Sequence, residues 1–82
     1  MHLLYFGRLR QEFGLSEENL APPSVATVAG LLAQLRARGG IWAEELAEGR
    51  IFRVAVDQEV ATPDMPLQAG SEVAIFPPVT GG

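Results

Sequence analysis

"TVAGLLAQLRARGG", Thr27 to Gly40, is the stretch whose spacing decides the fold. Val28, Leu31, Leu32 and Leu35 fall at i, i+3, i+4 and i+7, which puts all four on one face of an α-helix over residues 28–38. The Thr27 hydroxyl can cap the first amides, and Gly39-Gly40 ends the helix. Arg36 and Arg38 lie in the last turn, where positive charge suits the helix dipole, and read as a solvated helix end. The chain thus has one main amphipathic helix, and its single apolar stripe must find a sheet to cover.

Strands flank it on both sides. "HLLYFGRL", residues 2–9, is an apolar run rich in branched and aromatic side chains and predicts a strand. Its alternating sets, Leu3 with Tyr5 and Leu4 with Phe6, are both apolar, which predicts burial on both faces. A short helical turn is expected around Gln11 and Glu12, closed by Gly14, and "ENLAPP", residues 18–23, reads as a second strand stopped by Pro22 and Pro23. After the main helix come a short helical turn at residues 42–46 and a hairpin in which "IFRVAV" and "EVA" flank Asp57-Gln58. The final strand is "EVAIF", with Val73 and Ile75 on one face and Ala74 and Phe76 on the other. Strand, strand, helix, hairpin, strand is the order of an α+β protein with the β-grasp, ubiquitin-like architecture: a mixed sheet with one main helix on one face. Residues 1–76 form that domain, and residues 77–82 a C-terminal tail. With the first and last strands adjacent, Phe6 and Phe76 share the uncovered face, which marks a partner surface.

Composition narrows the chemistry. The 82 residues, 48% hydrophobic and 20% charged, suit one small folded domain. A net charge of −4 argues against nucleic-acid binding, which calls for a basic stripe against the phosphates. The chain lacks cysteine, and His2 is the one imidazole, so neither a thiolate nucleophile nor a metal site is expected. The N-terminus has no leader pattern and no apolar run nears the roughly 20 residues that span a bilayer, so the expectation is a cytoplasmic protein without a membrane partner. Glu17-Glu18 and Glu44-Glu45 are adjacent pairs, whose side chains do not converge on a substrate, and read as solvated charges. Trp42 reads as a core or interface anchor.

What remains is the tail, "PPVTGG". Pro77 and Pro78 fix φ, stop a central strand from continuing and favour an extended chain directed away from the sheet. Val79, Thr80, Gly81 and Gly82 then reach roughly 13 Å from the body. Gly81 and Gly82 lack β-carbons, so a narrow channel admits them. The Gly82 carboxylate is ionised at neutral pH and a poor electrophile, so it reacts only after activation.

The ending "FPPVTGG" resembles that of the molybdopterin synthase small subunits, the MoaD-type ubiquitin-like sulfur carriers of molybdenum cofactor biosynthesis. The opening "LYFGRLRQEFG", the helix after "TV", the hairpin "VAVDQEV" and "PLQAGSEVAIFPPVTGG" fall in that family's order. The chain departs from it in starting its hairpin turn with Asp57 rather than asparagine and in having no lysine. The resemblance implies a carrier rather than an enzyme, with no bound cofactor. A ubiquitin-activating-type adenylyltransferase uses ATP to adenylate Gly82, sulfur from a donor protein replaces AMP to give a thiocarboxylate, and the tail enters the active site of the large synthase subunit. There two such sulfurs convert cyclic pyranopterin monophosphate to the dithiolene of molybdopterin. The implied assembly is a heterotetramer of two small and two large subunits. Phe6 and Phe76 match interface aromatics of the family, and Arg10 a basic residue near the tail's exit. Two other functions fit the same residues: a carrier for thiamine or tRNA thiolation or a protein modifier, and an interaction domain with an inert tail.

Overall fold

The computed structural model of the chain describes residues 1–21 and 27–78. Along the chain run β1 (His2–Tyr5), α1 (Gly7–Phe13), β2 (Glu17–Asn19), α2 (Val28–Arg36), α3 (Gly40–Glu45), β3 (Arg53–Val56), β4 (Glu59–Val60) and β5 (Glu72–Phe76). The strands form one sheet in the order β2-β1-β5-β3-β4. β1 and β5 are parallel and central, with Leu3 opposite Val73 and Tyr5 opposite Ile75, and the other pairings are antiparallel. This is the β-grasp architecture.

One face of the sheet carries the core. Leu3, Tyr5, Val54, Val56, Val73 and Ile75 point to it and meet Leu9 and Phe13 of α1, Val28, Leu31 and Leu35 of α2, and Leu46. Thr27 caps α2 as its sequence predicts, its Oγ1 accepting from the Gly30 amide at 3.1 Å. The helix ends two residues before the predicted boundary, at Arg36, and Gly39, at φ 77°, is the N-cap residue of α3. The Asp57-Gln58 hairpin forms with both residues at positive φ, 49° and 71°, the signs of a type I′ turn built without glycine.

Several expectations are corrected. The first strand stops at Tyr5 rather than running to Leu9, because Gly7 at φ 57° turns the chain and Leu9 and Phe13, four apart, supply an apolar helical stripe. Burial on both faces of β1 is not found: Leu3 and Tyr5 are 0% and 1% exposed, Leu4 is half-buried and Phe6 is 46% exposed. The two short helical turns expected beside the main helix are α1 and α3, longer than expected, and they add Leu9, Phe13 and Trp42 to the stripe of α2. Pro22 and Pro23, expected to stop β2, lie outside the described residues.

The charges read as solvated are mostly paired. Glu18 accepts two hydrogen bonds from Arg38, at 2.9 and 2.8 Å, and one from the Tyr5 hydroxyl at 2.7 Å. The Arg38 guanidinium also lies 4.4 Å from the Trp42 ring, which stacks on Phe13 at 3.9 Å and 5°. Arg36 donates to the Leu46 carbonyl at 3.0 Å. Glu45 is buried between two other arginines. Adjacency in sequence does not reveal these partners, because Arg38 reaches Glu18 across 20 residues and Arg8 reaches Glu45 across 37. Arg38 holds the Glu18 carboxyl below its ordinary pKa, and burial followed by the Glu18 hydrogen bond pushes the Tyr5 phenol up.

Candidate functional site: the root of the tail

β5 delivers the chain to Pro77. The last bond between the central strands runs from the Phe6 amide to the Ile75 carbonyl, at 3.1 Å. Beyond it the two chains part: one enters α1 through Gly7 and the other becomes Pro77-Pro78. The Pro77 ring packs directly on the Gly7 backbone, so a β-carbon at Gly7 would stand 3.0 Å from Pro77 Cγ. Gly7 is required twice over, by its positive φ and by this close approach.

Under the prolines is a recess of about 380 Å³, walled by Arg8 and Leu9 of α1, Glu45 of α3, and Arg50, Ile51, Pro77 and Pro78. Glu45 is 7% exposed, and its Oε2 accepts from Arg8 at 2.9 Å and from Arg50 at 2.6 Å. Sequence reasoning missed this triad. Its members are 37 and 5 residues apart and share no helix or strand, so no periodic signal joins them.

On the open face, Leu4, Ala55, Ala74 and Phe76 are half-buried and Val60 is 70% exposed. Phe6 continues β1 with extended backbone, at φ −125° and ψ 158°, so strand alternation places it on the Leu4 face next to Phe76. The two aromatics proposed for a partner surface are therefore neighbours at the tail end of the sheet. Arg10 is exposed on α1; its neighbour Arg8, not Arg10, lines the recess. The predicted tail residues Val79, Thr80, Gly81 and Gly82 lie outside the described residues. Among the described residues no cluster of His, Asp and Glu has the arrangement of a metal site, and no helix is long and apolar enough to cross a membrane.

Residues 3–82 match the ThiS family. The chain is 38% identical over 80 residues to the molybdopterin synthase sulfur carrier subunit of Escherichia coli K12, covering 98% of this chain and 96% of that one. To the subunit of the same name from Haemophilus influenzae it is 32% identical over 82 residues, covering 100% and 99%. Among solved structures it is similar to SAMP1 of Haloferax volcanii, with a TM-score of 0.74 at 27% identity, covering 100% of this chain and 98% of that one.

Proposed function

The chain belongs to the ThiS family, alongside the molybdopterin synthase sulfur carrier subunits, and from that premise we propose that it carries sulfur on its own C-terminal carbon for the synthesis of molybdopterin. The observation that supports this reading most is the extent of the match, which runs through the β-grasp body and the tail to residue 82.

The chemistry is divided between this chain and its partners. An adenylyltransferase in the cytoplasm joins the Gly82 carboxylate to the α-phosphate of ATP and releases pyrophosphate. Sulfide-level sulfur from a donor protein then attacks the acyl carbon and displaces AMP, leaving a thiocarboxylate. The large synthase subunit takes the tail into its active site, where the thiocarboxylate sulfur displaces an oxygen substituent from a carbon of cyclic pyranopterin monophosphate. Water cleaves the resulting thioester, leaving the sulfur on the pterin and regenerating the Gly82 carboxylate. Two such transfers complete the dithiolene, and two small subunits flank a pair of large ones. This chain's own residues present the reacting carbon: Pro77 is fixed on Gly7, Val79 and Thr80 span the distance, and Gly81 and Gly82 pass a narrow channel. The body holds no cofactor; ATP is used by the activating enzyme, and the partners supply the acid and base. Phe6 and Phe76 form part of the surface that meets the large subunit, and Arg10 flanks it.

Incubated with activating enzyme, ATP and a sulfur source, the protein is expected to gain the mass of one oxygen-to-sulfur exchange. A chain extended by one residue past Gly82 is expected to gain nothing, and equal reaction of the extended chain would refute the reading. The likeness to SAMP1, the "small archaeal modifier protein 1", favours a second reading in which the same activated carbon forms amide bonds to other proteins. Isopeptide adducts ending in Gly-Gly in cells would be its sign.

A further inference from the structure

The arginines at the root of the tail carry more charge than they use. Among the described residues Arg8 and Arg50 share one acceptor, Glu45 Oε2, and two positive charges against that one negative leave the group one positive charge in excess. That excess sits on a chain with a net charge of −4. A guanidinium presents five N–H donors in a fixed fork, and each of these directs one to Glu45. Their side chains are 58% and 44% exposed, so both guanidinium groups remain open to solvent while the buried carboxylate holds each at one nitrogen. Beside them Ile51 is 76% exposed, an aliphatic side chain that gains little from folding where it stands. Preset arginines next to an exposed apolar side chain are the make-up of an interface hot spot.

We propose that this recess is a docking socket for a carboxylate side chain, flanked by an apolar one, on the large synthase subunit. The inference rests on the function proposed above. Three features point to that occupant. Pro77 and Pro78 form one wall of the recess and lie next in sequence to residues 79–82, so a protein that takes up the Gly82 carbon comes close beside it. Its excess positive charge complements a carboxylate, which a guanidinium fork binds through two parallel hydrogen bonds. The donors are preset rather than mobile, which suits a standing complex more than the brief encounter with an activating enzyme.

The test measures affinity of the full chain for the purified large subunit at low and at moderate salt, for wild type, Arg8→Gln, Arg50→Gln and Ile51→Ser. Glutamine can keep a hydrogen bond to Glu45 while removing the charge. Arg50→Gln is expected to weaken binding about tenfold or more and to flatten its salt dependence, with Arg8→Gln and Ile51→Ser weakening it less. Adenylation by the activating enzyme is expected to keep its wild-type rate. Because Ile51 is so exposed, Ile51→Ser remains a fair test should an arginine variant fold poorly. Wild-type affinity in the folded variants would overturn the socket while leaving the carrier reading intact. An equal loss with the activating enzyme would overturn its assignment to the large subunit. A wild-type chain that fails to bind the large subunit would overturn both.

Discussion

Arg38→Ala removes the centre of the clamp that ties the end of α2 to β2 and to the aromatic cluster. Two hydrogen bonds to Glu18 and the stacking on Trp42 are lost together. An exposed ion pair is worth up to about 1 kcal/mol, and breaking a buried one costs about 3–5 kcal/mol. The Arg38 and Glu18 side chains are 31% and 17% exposed, so the pair falls between those limits. Taking about 1–2 kcal/mol for the pair and about 0.5–1 kcal/mol for the cation and ring gives a loss near 2 kcal/mol. For a domain of this size that lowers the Tm by roughly 10 °C, read by circular dichroism at pH 7. A double-mutant cycle with Glu18→Gln isolates the pair. The pH dependence adds a second check. The folded Glu18 pKa lies below its unfolded value of about 4.3, so the stabilisation is complete above that value and is lost as pH falls through the lowered one. The gap between wild type and Arg38→Ala should therefore narrow in acid. A Tm drop under about 3 °C at pH 7, or a gap that persists unchanged in acid, would refute the reasoning.

Gly7→Ala places a β-carbon 3.0 Å from Pro77 at φ 57°, so we expect a loss of about 1 kcal/mol in a denaturant melt together with slower adenylation, since Pro77 must move. Gln58→Gly relieves a side chain held at φ 71° in the hairpin turn and should raise stability by about 1 kcal/mol, with partner binding unchanged. Phe76→Asp alters the half-buried open face opposite Arg53; the melt should stay within a few degrees while affinity for the large subunit falls severely, and an unfolded variant would place Phe76 in the core instead.

The readable parts of the fold were those written in local periodicity. The helical spacing of Val28, Leu31 and Leu35, the cap at Thr27 and the alternation of Val73 and Ile75 each involve residues a few positions apart, and the structure follows them. Residues 2–9 were less legible because apolar alternation and a helical stripe overlap there: Tyr5 ends the strand pattern as Leu9 and Phe13 begin the helical one, and only the φ of Gly7 separates them. The ion pairs were illegible in principle. Glu18 meets Arg38 across 20 residues and Arg8 meets Glu45 across 37, and nothing in a single chain's periodicity reports which distant charges topology will join. The recess at Pro77 and Pro78 was not legible either, because its walls come from α1, α3 and the residues after it.

That recess follows from the central pairing itself. β1 and β5 are parallel, so their C-terminal ends leave the sheet at the same edge, Tyr5 beside Ile75. Two parallel chains cannot be joined by a tight turn there and must diverge. One bends into α1 through Gly7, the other runs on as Pro77-Pro78, and the gap between them is closed from the side by α3 and the residues that follow it. Buried Glu45 satisfies that gap by drawing in one arginine from each flank. The same divergence puts Phe6 and Phe76 side by side at the edge from which the tail departs. In the complex proposed above, a partner that takes the Gly82 carbon would meet the aromatic pair on one side of this sheet edge and the basic recess on the other.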